Sequence, residues 1–260
     1  MNRFARSLLP CSLLLSLAGC DGDRRVATVE RGFEVDGFAT LLLDQREGDL
    51  TVIGEQDRES ITVVAELRAA RLSDAQDDEA ERALRVGLTE LDPTTARIAA
   101  GLDDAPRGYY VDVTVIVPSY MTMEVSDESG DATFENLAAL TLDDRSGDVR
   151  ISDIQGTVVI DDDSGDMHVT NVGGDLVITD DSGDLGIRDV GGDLLVRDTS
   201  GDIVVDGVAG GAEIDDRSGD IVVRDVGEMV SVTDRSGDIL IVGAGDARIV
   251  SDTSGDVLIR

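Results

Sequence analysis

Asp-x-Ser-Gly-Asp recurs eight times in the second half of the chain, centred on Ser129, Ser146, Ser164, Ser182, Ser200, Ser218, Ser236 and Ser254. The first step is 17 residues and the next six are 18 each. A fixed period of this length is the mark of a chain wound into equivalent stacked coils. Counted from each serine, the third and fifth residues on are apolar in every copy, as in Val149/Ile151 and Ile203/Val205, while the fourth varies. That is strand alternation with one buried face. A second alternating strand follows in each coil (Val158/Ile160, Leu176/Ile178, Leu194/Val196), with an apolar corner residue such as Ile154, Val172 or Val190 between the two. Gly-Gly-Asp often marks the second turn. The expected fold is all-β, a parallel, β-helix-like solenoid of about 18-residue coils over residues 126–260. A flat antiparallel meander of the same period is the rival, and it would leave one face of the apolar columns wet.

Residues 1–19 read as an address. Arg3 and Arg6 precede a short apolar stretch broken by Pro10, too short to span a bilayer and suited to a secretory signal. Leu17-Ala18-Gly19-Cys20 resembles the lipobox of bacterial lipoproteins, which implies cleavage before Cys20 and acylation (palmitate among the acyl groups) at that residue. Asp21 resembles the enterobacterial signal for retention at the inner membrane; other lineages sort by other positions, which leaves the outer membrane open. Cys11 departs with the signal, so the mature chain has one cysteine and no internal disulfide. The expected localisation is the bacterial cell envelope, through a lipid anchor, with residues 20–32 as a polar tether.

The formal net charge is -33 and all the basic residues are arginine. That balance excludes nucleic acid as a natural partner, because phosphate backbones need a basic face. It also predicts that the body stands away from an anionic lipid surface. Tryptophan is absent and aromatics make up 3% of the chain, which disfavours a sugar-stacking cleft.

Residues 33–125 are less regular and are expected to cap the stack. Alternating runs at Phe38–Leu43, Leu50–Ile53, Ile61–Leu67 and Tyr110–Val117 predict strands. Gly48-Asp49-Leu50 looks like a degenerate early copy of the repeat turn. Ser73 to Leu84 predicts a helix, with Ser73 as cap, Gln76 completing a capping box, and Asp77, Asp78 and Glu79 in the early turns.

The repeated turn has a structural explanation. Asp-x-Ser-Gly fits a type I turn whose first Asp accepts the N–H two residues on, while the glycine (Gly130, Gly147, Gly165, Gly183, Gly201, Gly219, Gly237, Gly255) takes a left-handed conformation. The second Asp is expected to point outward and accept amide protons of its own turn. Stacking also sets like charges side by side: carboxylates about 5 Å apart repel by about 0.8 kcal/mol in water. Both Asp ladders are expected along an outer edge, relieved by Arg145, Arg217 and Arg235. Calcium would relieve them further, with Asp144, Asp148, Asp162, Asp166, Asp180, Asp184, Asp198, Asp202, Asp216, Asp220, Asp234 and Asp238 as candidate ligands. The match to the nonapeptide of calcium-binding β-rolls is poor, because its third glycine is missing. No cofactor is required by the pattern.

Tyr110-Val111-Asp112-Val113-Thr114-Val115-Ile116-Val117-Pro118, then Met123-Glu124-Val125-Ser126, then the Ser-Gly-Asp repeats, resemble in that order the bacterial β-strand-repeat "putative adhesin" family, a domain of unknown function. The resemblance covers about Phe33 to Arg260 and implies a β-solenoid on a cell-envelope protein, with no catalytic residues to carry over.

The leading functional expectation is a non-enzymatic envelope lipoprotein, an adhesin-like scaffold or binding surface for an envelope protein, a glycan or another copy of itself through the C-terminal coil. A calcium-binding repeat protein of β-roll type is the alternative. A β-helix polysaccharide-active enzyme is the third, but its acid pairs are uniform along the stack. His168, the one histidine, sits at an outward strand position, and the serines lack the Gly-x-Ser-x-Gly context of a nucleophile.

Overall fold

A computed structural model describes residues 23–35, 37–70, 76–103 and 107–260, with 247–250 by their backbone alone. Cys20, Asp21 and the expected cap Ser73 lie outside the described residues.

The chain begins with strand β1 (Arg24–Glu34), then β2 (Thr40–Gln45), β3 (Leu50–Glu55) and β4 (Ser60–Ala69). Helix α1 (Asp77–Ala83) leads into β5 (Leu84–Asp92), β6 (Thr95–Leu102) and β7 (Tyr109–Pro118). The repeats supply β8 (Thr122–Asp127), β9 (Ala132–Glu135), β10 (Ala139–Asp144), β11 (Val149–Ile154), β12 (Val158–Asp162) and β13 (Met167–Val172). They continue with β14 (Leu176–Asp180), β15 (Leu185–Val190), β16 (Leu194–Asp198), β17 (Ile203–Val208) and β18 (Ala212–Asp215). The last are β19 (Ile221–Thr233), β20 (Ile239–Ser251) and β21 (Val257–Ile259).

Each coil contributes one strand to each of two parallel stacks. One stack runs β2, β8, β10, β12, β14, β16, β18 and then the second halves of β19 and β20. The other runs β3, β9, β11, β13, β15, β17, the first halves of β19 and β20, and β21. Parallel pairing removes the meander and establishes the solenoid. The register sets like on like, as in Val158↔Leu176 and Ile160↔Ile178, so apolar side chains pile into columns inside one continuous core. A one-residue slip would turn every such column to solvent.

The winding begins earlier than the regular repeats. β2 and β3 form a coil that pairs with β8 and β9, and Asp49 behaves as a repeat aspartate. Beyond that coil, β6 adds in parallel to β2 and carries β5 as an antiparallel partner. β7 adds to β3, followed by β4 and β1, both antiparallel.

Several expectations change here. The tether is structured from Arg24, because β1 pairs with β4 from Arg24↔Ala69 to Glu34↔Ser60. Arg24, Arg25 and Arg31 are exposed and Glu30 is half-buried, while Phe33 near the end of the strand is buried, a pattern that the polar composition conceals. Among the described residues the helix runs Asp77–Ala83, Leu84 already belongs to β5, and Gln76 stands at the helix N-cap with no side-chain capping bond. Tertiary contacts hold it instead: Asp77 accepts from Arg24 at 2.8 Å and from the Tyr109 hydroxyl at 2.9 Å. β5 and β6 are strands that the apolar pattern does not predict: β5 lies mostly exposed, and β6 alternates in burial through the small Ala96 and Ala100 on either side of Ile98. The 17-residue step falls in a second turn one residue short, Ala138-Ala139 standing where the next coil has Gln155-Gly156-Thr157.

Candidate functional site

The repeated turn is fastened in three ways. The first Asp accepts the serine amide through Oδ1, at 3.1 Å for Asp162 and Ser164 and 3.1 Å for Asp180 and Ser182. The serine hydroxyl reaches back one coil to a backbone carbonyl, as Ser164 Oγ does to Arg145 at 3.1 Å and Ser200 Oγ to Asp181 at 3.2 Å. The glycine has positive φ in every copy, for example 148° at Gly183. It also lies so close to the preceding coil that a Cβ there would sit 1.8 Å from the Gly165 carbonyl oxygen. The serines are therefore inter-coil fasteners.

The first aspartate points inward, which corrects the expectation of an outer ladder. Asp127, Asp144, Asp162, Asp180, Asp198, Asp216 and Asp234 are 0–5% exposed and form a column beside the aliphatic ones. The parity explains it: Asp162 follows Val158 and Ile160 at steps of two and shares their face. In each of these seven carboxyls Oδ2 is buried without a hydrogen-bond partner, and Asp144 lacks one at both oxygens. No arginine among the described residues pairs with the column. Arg145 lies 3.7 Å from Glu128, and Arg217 donates to Thr199 Oγ1, so neither gives the relief expected of it. Burial, reinforced by neighbouring carboxylates and opposed by the turn amides, pushes Asp127, Asp162 and Asp216 up to about 6 and Asp180 up to about 7. Asp144 rises to about 6 by burial and by the charge of Asp127, and Asp198 and Asp234 rise by burial.

The second column points outward, as expected, but its hydrogen bonds run between coils. Oδ1 of Asp148 accepts the Asp166 amide at 3.3 Å, Asp166 that of Asp184 at 3.1 Å, Asp184 that of Asp202 at 3.0 Å, and Asp202 and Asp220 those of Asp220 and Asp238 at 2.9 Å each. Each carboxylate thus satisfies a backbone donor of the next coil. The calcium candidates therefore fall on two faces, Asp144, Asp162, Asp180, Asp198, Asp216 and Asp234 inward and Asp148, Asp166, Asp184, Asp202, Asp220 and Asp238 outward. Among the described residues no group of three or more His, Cys, Asp or Glu side chains converges on a metal position.

Three features escaped the sequence reading. The second corner holds a residue in the left-handed region in each regular coil: Asn136, Asp153, Asn171, Asp189 and Asp225 have φ of 53–58°, and Gly207 and Gly243 take the same place. The recurrence of Asn, Asp or Gly seven residues after each serine was the available signal. Gln45 heads the inward column, in register with Asp127, and its Nε2 donates to the carbonyls of Val111 at 2.7 Å and Glu47 at 3.3 Å. Its Oε1 is buried and unpartnered. Finally, a cleft of about 710 Å³ opens at the N-terminal end of the stack, where Arg46, Arg85, Arg97 and Arg107 gather with Tyr110.

His168 lies at an exposed position of β13, in register with Arg150 and Gly186. Among the described residues no helix is long and apolar enough to cross a membrane.

These features define a parallel β-solenoid repeat protein whose signature residues serve the winding. The Toastrack DUF4097 family matches residues 38–260, and the chain belongs to it. No curated protein matches the chain. Among solved structures, a "putative lipid binding protein" from Parabacteroides distasonis ATCC 8503 is 13% identical, with 90% of this chain and 96% of that chain covered and a TM-score of 0.55. A "putative adhesin" from Bacteroides fragilis NCTC 9343 is 14% identical over 90% of this chain and 97% of that one, with a TM-score of 0.45. Another from Parabacteroides merdae ATCC 43184 is 10% identical over 89% and 96%, with a TM-score of 0.45. At 13% identity the likeness to the first of these is one of fold.

Proposed function

We propose that this chain is a non-enzymatic, adhesin-like scaffold of the cell envelope, held by a lipid on Cys20, whose solenoid offers a protein-binding strip. One observation carries the reading. On the outer face of the second stack, Val204, Val222, Leu240 and Leu258 stand in register on four successive coils, with Val204 40% and Leu258 43% exposed. Asp202, Asp220, Asp238 and Asp256 run alongside as the outward acidic column. An apolar ridge edged by carboxylates fits an extended segment of an envelope protein with apolar and basic residues in alternation. The scarcity of aromatic residues favours a protein over a glycan as that partner.

Two measurements test this. Radiolabelled palmitate should enter the wild-type chain and be absent from Cys20→Ala, which should leave the membrane fraction. Purified chain should bind envelope fractions saturably, and Val222→Glu with Leu240→Glu should abolish that binding while leaving the melting curve intact. Binding that survives both substitutions, or none by the parent, removes the adhesin-like reading.

A further inference from the structure

Asp23, the first described residue, lies at the arginine cleft. Tyr110 lines the cleft, and its hydroxyl donates to Asp23 Oδ2 at 2.7 Å. Arg24, the next residue, begins β1 and bonds α1 through Asp77. Only two residues separate Asp23 from Cys20 in the sequence. The three steps from Cys20 to Asp23 span at most about 11 Å fully extended, so a lipid on Cys20 would bring this end of the solenoid close to the bilayer surface.

Charge in the cleft is near balance, Asp23 at its edge included, in contrast to the strongly acidic chain as a whole. Four arginines there (Arg46, Arg85, Arg97, Arg107) meet three carboxylates (Asp44, Glu47, Asp103), whereas the chain carries 55 acidic residues against 22 basic ones. Arg85 stands 3.5 Å from Asp103 and Arg97 3.7 Å from Asp44, both pairs exposed. Exposed pairs of this kind are weak and exchange readily for a better anion. Arg46 and Arg107 form no ion pair among the described residues. The volume, about 710 Å³, lies in the range of small-ligand sites.

We propose that this cleft receives the phosphate headgroup of an anionic phospholipid, docking the N-terminal end of the solenoid on the membrane while the acidic repeats project away. The inference rests on the anchored reading for its orientation, but the cleft's recognition of headgroups stands apart from acylation. It revises the expectation from net charge, which averages over the chain and misses the one end where arginines gather. Guanidinium groups present paired donors to phosphate oxygens, so the fit is chemical as well as electrostatic.

The test uses the mature chain beginning at residue 20 with Cys20→Ser, so that no acyl chain contributes. It is sedimented with vesicles of phosphatidylglycerol and, separately, of phosphatidylcholine. Binding is expected to the first alone, weakening with salt. Arg46→Glu with Arg107→Glu, both on exposed side chains, is expected to lower the affinity at least about tenfold with the melting curve unchanged. Arg188→Glu with Arg224→Glu, on the repeats, is expected to leave it unaltered. Equal binding to both vesicles, insensitivity to the cleft substitutions, or binding of inorganic phosphate without vesicle binding would each overturn the proposal. Failure of palmitate labelling would remove the anchor and leave this vesicle result standing on its own.

Discussion

Gln45 and Asp127 are register neighbours in adjacent coils, and each holds a buried oxygen with no hydrogen-bond partner. The Gln45 amide is fixed by its two bonds to backbone carbonyls, so its Oε1 needs a donor. An ionised Asp127 would set acceptor against acceptor. A protonated Asp127 avoids that opposition, and the unpartnered, buried Oδ2 of each further aspartate in the column favours the neutral form for the same reason. The acidic surroundings (Asp49 and Glu128 beside Asp127, Asp143 beside Asp144, Asp163 beside Asp162) favour the protonated form further.

Stability should therefore fall as pH rises. These carboxyls bind protons more tightly in the folded state than in the unfolded one, whose ordinary value is 3.8. The stabilisation is complete below that value and is lost as pH climbs through about 6 to 7. Thermal midpoints at pH 5 should exceed those at pH 8. Asp162→Asn with Asp180→Asn should flatten this dependence, whereas Asp161→Asn, on the outer face of the same strand, should leave its slope in place. A midpoint that rises with pH, or a slope untouched by the inward pair, contradicts the column's protonation.

Removing an outward aspartate should cost about one hydrogen bond. Asp184→Ala takes away the acceptor of the Asp202 amide and should cost on the order of 1 kcal/mol, lowering the midpoint by about 2–4 °C. Asp184→Asn keeps an acceptor oxygen and should recover most of that loss. Equal destabilisation by both variants would show that charge, and not the amide bond, matters at this position.

Glycine substitutions should separate sharply by position. Gly183→Ala meets both a φ of 148° and a carbonyl oxygen at 1.8 Å, and should cost more than about 4 kcal/mol or prevent folding. Gly87→Ala, in β5 with nothing within 4 Å of its Cβ, should change the midpoint by no more than about 2 °C. Circular dichroism melts of the two would decide.

Calcium should shift the melt little. The inward carboxyls are sealed and the outward ones already accept backbone amides, so a melt in chelator should match one in calcium at equal ionic strength. A rise of many degrees would restore the aspartates as ion ligands.

The inward aspartate was legible and was misread. Val158, Ile160 and Asp162 keep one parity, but a carboxylate beside a turn reads as solvent-facing until the stack is built. The inter-coil bonds of Asp166 and Ser164 were less accessible, because their acceptors and donors belong to residues 18 or 19 positions away. The arginine cleft was not legible at all: Arg46, Arg85, Arg97 and Arg107 come from separate segments that no local pattern joins.

The period and the two-residue alternation of apolar side chains determined the winding, since a strand must bury its apolar face and only an in-register neighbour of the same kind offers one. Which side of the turn each aspartate takes, what its oxygens meet, and where the arginines gather were decided by tertiary structure. Those properties depend on distances between coils and on the path of the N-terminal strands, and a linear spacing carries neither.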